Sequence, residues 1–352
     1  MRLIQTRPLN CSLFLEEISN QPTITEFTKV DLTGGQEIEG AKMQILDQEG
    51  KVVEEWVSKK EAHVVYALAP GEYILHEEQA PTEQGYVRAE DVKFVVEETG
   101  DVQKVKMEDD HTKVSISKTD ITDGKEIEGA KLQILDQDGE VVESWTTGEE
   151  HLIEYLPVGT YTLHEEAAVD GYIVANDVEF TVEETGEIQK VKMEDERAMG
   201  QLVIVKTDTD SKAALEGVEF VLLEKETGKE VGRLKTGKDG KAVSELLPIG
   251  TYENGVFKEP ITYVLKETAT LKGYEKTEEE WEIVFTYQND KTPVIEVVKE
   301  IQNKKIPETP GTVKPGPKTG DDTNWFLPLL ALGVSAGMVA GLLYYRKRHK
   351  KA

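Results

Sequence analysis

Phe27-Thr-Lys29-Val-Asp31, Ile116-Ser-Lys118-Thr-Asp120 and Ile204-Val-Lys206-Thr-Asp208 are one short strand written three times. Each carries a lysine where the apolar row should continue. The lysines stand 89 and then 88 residues apart. A second block follows each: Glu39-Gly-Ala-Lys-Met-Gln-Ile-Leu-Asp47, Glu128-Gly-Ala-Lys-Leu-Gln-Ile-Leu-Asp136 and Glu216-Gly-Val-Glu-Phe-Val-Leu-Leu223. The third block pairs Pro70-Gly-Glu-Tyr-Ile-Leu-His-Glu77 with Val158-Gly-Thr-Tyr-Thr-Leu-His-Glu165. In the last copy Tyr263-Val-Leu-Lys-Glu267 is displaced by an insertion around 253–261. A period this long exceeds the 20–50 residues of a solenoid unit, so the chain reads as beads on a string. Their bounds are 25–111, 112–197 and 198–305.

Each bead reads as all-β. In the first, alternating apolar runs at 42–46, 64–68, 73–77, 92–96 and 102–107 are separated by turn residues such as Asp47-Gln-Glu-Gly50 and Ala69-Pro-Gly71. About seven short strands in so few residues predict a β-sandwich. Asp136-Gln-Asp-Gly139 lacks the spaced oxygens of a calcium loop and reads as a hairpin turn.

Counting by twos places charge where the core should be. Thr25, Phe27 and Lys29 share a face, as do Tyr73, Leu75 and Glu77, and Val105, Met107 and Asp109. Bead two repeats this with Ile116/Lys118, Leu163/Glu165 and Met193/Asp195. Bead three offers Ile204/Lys206, Leu265/Glu267 and Ile301/Asn303, with Lys299 interrupting the last row. Acidic neighbours (Glu108 and Asp110; Glu194 and Glu196) leave the acceptor open by one residue. The same alternation turns His76 and His164 outward. Burying three ionisable groups is costly unless they pair or neutralise one another. Burial lowers a lysine's pKa and raises a glutamate's, which yields a neutral amine beside a protonated acid. A neutral amine is a nucleophile, and a carboxyl or carboxamide carbon in contact is its electrophile. The acid can relay protons to the leaving water or ammonia. An ordinary buried salt-bridged cluster is the competing reading.

The 352 residues carry a net charge of −27, which excludes the basic face that nucleic-acid binding needs. One cysteine, Cys11, permits no internal disulfide, and six scattered histidines make no zinc site. No cofactor or metal is expected. The uncharged stretch 325–345, WFLPLLALGVSAGMVAGLLYY, would span about 32 Å as a helix, enough for the hydrocarbon core. The basic tail 346–352 follows and stays cytoplasmic, which places the rest outside. Gly333-Val-Ser335-Ala-Gly337 matches a nucleophile elbow only by chance, since it falls within that span. Residues 306–324, rich in Pro and Gly, form an extended linker. The opening segment 1–24 has too short an apolar run for a signal peptide. Asn20 stands nine residues before Lys29, as Asp109 does before Lys118, so it reads as the orphaned acceptor of a truncated upstream bead.

At the first-strand lysine, the Glu-Gly-Ala segment and the Tyr-x-Leu-x-Glu…Gly-Tyr element (Gly85-Tyr86, Gly171-Tyr172, Gly273-Tyr274), the chain resembles the Cna B-type or SpaA-type isopeptide-forming domains of Gram-positive pilins and adhesins. The resemblance implies immunoglobulin-like, prealbumin-type β-sandwiches with self-catalysed Lys–Asn/Asp bonds. These would be Lys29–Asp109 with Glu77, Lys118–Asp195 with Glu165, and Lys206–Asn303 with Glu267. The tail resembles a cell-wall sorting signal: Pro317-Lys318-Thr319-Gly320, the apolar span and the basic stop. It implies cleavage after Thr319 by a sortase and attachment to peptidoglycan, with Gly316 where the usual leucine stands. The expected function is a wall-anchored, adhesin-type stalk at the cell surface, its partners sortase, peptidoglycan, the membrane through the C-terminal helix, and host matrix or other surface proteins. A minor or basal pilin is the alternative, since no Tyr-Pro occurs for a shaft pilin's Tyr-Pro-Lys-Asn motif. An extracellular enzyme would need a constellation beyond the triads, and none is found. For a ligand-binding role, the insertion at 253–261 is the one unusual loop.

Overall fold

Alternation becomes strand after strand over residues 21–307, the part of the chain that the structure, a computed structural model, describes. Asn20, the motif at 317–320, the apolar stretch 325–345 and the basic tail lie outside the described residues. Among the described residues no helix is long and apolar enough to cross a membrane.

Bead one comprises β1 (Ile24–Asp31), β2 (Lys42–Leu46), β3 (Val52–Val57), β4 (His63–Tyr66), β5 (Gly71–Gln79), β6 (Val92–Val96) and β7 (Val102–Asp109). They form two sheets, β4-β1-β7 and β3-β2-β5-β6. Phe27, Met43, Ile45, Leu75, Val96 and Met107 fill the space between them. Phe27 meets the edge of Phe94 at 5.3 Å between ring centres. Bead two has β8 (Lys113–Asp120), β9 (Lys131–Leu135), β10 (Val141–Thr146), β11 (His151–Glu154), β12 (Gly159–Ala167), β13 (Tyr172–Ile173), β14 (Val178–Val182) and β15 (Ile188–Arg197). Its sheets, β11-β8-β15-β13 and β10-β9-β12-β14, repeat bead one with the short β13 added.

Bead three runs through β16 (Met199–Asp208), β17 (Glu219–Glu224), β18 (Glu230–Lys235), β19 (Lys241–Val243), β20 (Leu247–Pro248), β21 (Gly250–Glu253), β22 (Val256–Pro260), β23 (Thr262–Ala269), β24 (Glu280–Val284) and β25 (Val294–Asn303). One sheet is β18-β17-β23-β24; in the other β16 pairs with β19, β20 and β25. The insertion is the hairpin β21–β22.

The first and last strands of every bead are parallel neighbours in the same register. Lys29 stands opposite Met107 and Asp31 opposite Asp109; Lys118 faces Met193; Lys206 faces Ile301. Parallel neighbours cannot be joined by a tight turn, so the whole bead intervenes between them. Lys299 does not break the last row. It stays half-buried on the inward face of β25, its ammonium 6.0 Å from the Trp281 ring centre. The expected strand at 64–68 is shorter: Ala67 takes a left-handed backbone, φ 61°, and ends it. The Asp136 turn is a hairpin turn, with Gly139 at φ 82° donating its N–H to the Asp136 carbonyl.

The beads are not loosely strung. Tyr155 of bead two donates its hydroxyl to Asp31 Oδ2 of bead one at 2.8 Å. Its ring stacks on His111 at 3.9 Å and meets the edge of Tyr86 at 5.6 Å. A Cβ at Gly85, whose φ is +79°, would lie 2.3 Å from the Tyr155 carbonyl oxygen, so only glycine admits this approach. At the next junction Arg197 lies 4.1 Å over the Tyr252 ring and donates to Asp120 Oδ2 at 2.6 Å. Tyr172 donates to the same oxygen at 2.8 Å, and Tyr252 donates to the Gly171 carbonyl at 2.8 Å. Asp31/Asp120, Tyr86/Tyr172 and His111/Arg197 are equivalent positions in successive beads. The incoming aromatic is not equivalent: a tight turn supplies Tyr155, whereas the inserted hairpin supplies Tyr252 and Phe257. The 253–261 insertion therefore serves the bead junction, because its neighbouring aromatic side chains are engaged by bead two.

Candidate functional site

Three inward rows meet at one end of each sandwich. In bead one Phe27 leads to Lys29, Leu75 to Glu77 and Met107 to Asp109, and all three charged side chains are buried. Lys29 Nζ lies 2.9 Å from Glu77 Oε2 and in direct contact with Asp109 Oδ1. Glu77 Oε2 also accepts the Ala89 N–H at 2.8 Å. Bead two repeats the arrangement. Lys118 Nζ is 2.9 Å from Glu165 Oε2 and touches Asp195 Oδ1, and the Ala175 N–H donates to Glu165 Oε2 at 2.6 Å. The acidic neighbours face away: Glu108, Glu194 and Glu196 are exposed and Asp110 half-exposed. The acceptor row thus falls on Asp109 and Asp195, as the register of the parallel strands requires.

Beads one and two each enclose one lysine and two carboxyl groups. Glu77 Oε1 and Asp109 Oδ2 are buried without a hydrogen-bond donor, as are Glu165 Oε1 and Asp195 Oδ2. A proton shared between the two carboxyls would satisfy such oxygens. The direction of the aspartate shifts agrees. Burial pushes Asp109 up to about 7, the lysine charge opposes this, and the Glu77 charge adds to it. Asp195 is raised to about 7 by burial and Glu165, again against its lysine.

Bead three places a carboxamide at the acceptor position, and one buried carboxyl oxygen, Glu267 Oε2, is left without a hydrogen-bond donor. Lys206 Nζ donates to Asn303 Oδ1 at 2.5 Å and lies 3.1 Å from Glu267 Oε2. Asn303 Nδ2 donates to Glu267 Oε1 and to Thr270 Oγ1, both at 2.7 Å. Burial lowers the pKa of Lys206, with Glu267 opposing the shift. An amine held against a carboxyl or carboxamide carbon, with a second carboxyl touching both, has the parts for intramolecular amide formation.

All nine candidate residues, three per bead, come together; 317–320 lie outside the described residues. His76 and His164 sit on the outer face, bound to Asp91 and Asp177 at 2.7 Å. Reading the sequence missed the Ala89 and Ala175 amides, Thr270, and the junction aspartates. The last had a signal, because the aspartate closing each Lys-x-Asp strand recurs in all three copies. Asp31 Oδ1 accepts the Thr33 N–H and hydroxyl at 2.7 and 2.6 Å, and this turns the chain out of β1.

A family model for SpaA, a prealbumin-like fold domain, matches residues 23–111, 112–197 and 200–260. Among solved structures, the chain is similar to the TIE protein of Bacillus anthracis, at 27% identity and a TM-score of 0.54. That likeness covers 81% of this chain and 51% of that one, so the chain spans about half the length of this relative. BcpA, the major pilin subunit of Bacillus cereus, matches at 15% identity and a TM-score of 0.46, over 81% of this chain and all of that one. The shaft pilin SpaA of Lactobacillus rhamnosus GG matches at 13% identity and a TM-score of 0.26, over 51% of this chain and 98% of that one. None of the curated proteins matches it in sequence.

Proposed function

The chain belongs to the family of SpaA-type prealbumin-like fold domains, and from that premise we propose a wall-anchored surface stalk whose three beads are each closed by an isopeptide bond. The observation that carries this reading is the threefold repetition of one buried lysine–carboxyl–acceptor cluster. A single buried ion pair contributes little net stability and is readily replaced by apolar residues. A neutral amide in its place removes the buried charge altogether.

In beads one and two the lysine, after giving a proton to the glutamate, attacks the Asp109 or Asp195 carboxyl carbon. The new bond is Nζ–Cγ. The glutamate takes the second amine proton while delivering one to the departing oxygen, and water leaves. In bead three the Cγ–Nδ2 bond of Asn303 breaks instead, and ammonia leaves. Glu267 reaches both nitrogens, Oε2 towards Lys206 Nζ and Oε1 towards Asn303 Nδ2, at 3.1 and 2.7 Å. It can therefore accept on one oxygen and donate from the other. The sorting motif at 317–320, cut by a sortase after Thr319, would tie the stalk to peptidoglycan, and the apolar span would hold the precursor in the membrane.

The test is made on cells expressing the full chain. Wall hydrolase should release far more of it than detergent does. The released wild-type protein should resist trypsin, whereas the triple variant Glu77→Gln, Glu165→Gln, Glu267→Gln should be cut within its beads. Release by detergent alone would overturn the anchoring, and equal trypsin sensitivity would overturn the bonds.

A further inference from the structure

The third cluster differs from the other two in its acceptor and in one side chain beside it. Three residues after the cluster glutamate, beads one and two carry Ala80 and Ala168, and bead three carries Thr270. In the same bead the acceptor changes from aspartate to Asn303, so the leaving group changes from water to ammonia. The two changes meet in space: Thr270 Oγ1 accepts from Asn303 Nδ2 at 2.7 Å.

Resting on the isopeptide reading, we propose that Thr270 is a positioning residue for bond formation in bead three, holding the Asn303 nitrogen as the leaving ammonia. A primary carboxamide can be flipped, and only one orientation is productive. With Oδ1 towards Lys206 Nζ, at 2.5 Å, the amine polarises the carbonyl and approaches Cγ. Nδ2 then needs acceptors for both of its hydrogens. Glu267 Oε1 takes one and Thr270 Oγ1 takes the other. Flipped, Asn303 would turn its oxygen onto the Glu267 carboxylate and its Nδ2 onto the Lys206 ammonium, and the Thr270 hydroxyl would have to donate to the oxygen instead of accepting from Nδ2.

The same contact serves departure. Lys206 enters with three ammonium hydrogens and Asn303 with two on Nδ2. Glu267 removes one proton from Nζ, the amine attacks Cγ, and a second Nζ proton passes through Glu267 to Nδ2. Cγ–Nδ2 then breaks, giving the amide N–H, ammonia and a protonated Glu267. Nδ2 must present its lone pair to the Glu267 proton. A hydroxyl that keeps accepting one of its N–H groups holds it in that attitude. A carboxylic acid leaving as water carries one hydrogen on the departing oxygen, which the neighbouring glutamate can accept, so no second acceptor is called for, in keeping with the alanines of beads one and two.

The experiment follows each bond separately during cell-free synthesis of the full chain, with timed quenching in denaturant and mass analysis of the cross-linked fragments. Beads one and two are clocks within the same molecule. Thr270→Val keeps the methyl and loses the hydroxyl; Thr270→Ser does the reverse. Bond formation in bead three should slow at least tenfold in Thr270→Val and stay within about threefold of wild type in Thr270→Ser, with the other beads unaffected. The opposite order, slow with serine and normal with valine, would show that Thr270 acts by packing and would overturn the proposal, as would equal rates in all three chains. Absence of the Lys206–Asn303 bond from the wild-type chain would instead overturn the isopeptide reading itself.

Discussion

Asp109 and Asp195 are raised to about 7 by burial and by the adjoining glutamate, against the pull of their lysines. Water leaves only from a carboxyl that carries a proton, so their reactive form is full below that value and drains as pH rises through it. Asn303 has no such titration, and the lowered pKa of Lys206 keeps more of its amine neutral as pH rises. Between about pH 6 and about pH 8, bond formation should therefore slow by roughly tenfold in beads one and two but not in bead three. Timed quenching at the two values measures it, and parallel rates in all three beads would contradict the shared-proton assignment. The nine cluster residues were legible because each shares its parity with an apolar core residue of the same strand, Lys29 with Phe27, Glu77 with Leu75 and Asp109 with Met107, even though β1 buries Val30 as well. The shared proton was not. It depends on which oxygens, Glu77 Oε1 and Asp109 Oδ2, are left without a donor. Thr270 was hidden as well, since it lies beyond the strand bulge that follows Glu267, where alternation no longer assigns a face.

Each bead begins and ends on adjacent parallel strands, and the cluster lies near the C-terminal end of both. A bond from Lys29 to Asp109 would close a loop of 80 residues. Disulfides closing loops of this size stabilise by roughly 2–5 kcal/mol, a guide to scale. The strand rows and hairpin turns could be read in advance, but the junctions could not. Tyr155 occupies a left-handed turn position, φ 61°, that breaks the period, and Ala67 holds the same position in bead one. Tyr252 belongs to a hairpin without a counterpart. Aromatic contact and the hydroxyl bond to Asp31 together predict about 1–3 kcal/mol of coupling across the first junction. In Tyr155→Ala the Val158 and Thr112 amides, which donate to Thr82 and Gly85 of bead one, should exchange hydrogen about tenfold faster or more. Amides inside β12 should keep their rates. Unchanged exchange at Val158 and Thr112 would show that the beads are held by something other than this ring.

Along the chain, a covalent route would enter bead one at β1, cross from Lys29 to Asp109 and leave at the end of β7, then repeat from β8 through Lys118 and Asp195. Tension would bear on a few residues of each first strand, while the rest of each sandwich hangs outside the loaded path. Aromatic contacts join one bead to the next, and a net charge of −27 opposes association of like-charged chains. All of this turns on whether the bonds form. The most direct measurement is the intact mass of the folded full chain, beside single variants such as Glu165→Gln. The wild-type chain should lack two waters and one ammonia, and Glu165→Gln should regain one water only, because each cluster acts within its own bead. A wild-type chain at its full sequence mass would mean that the three clusters are ordinary buried ion pairs.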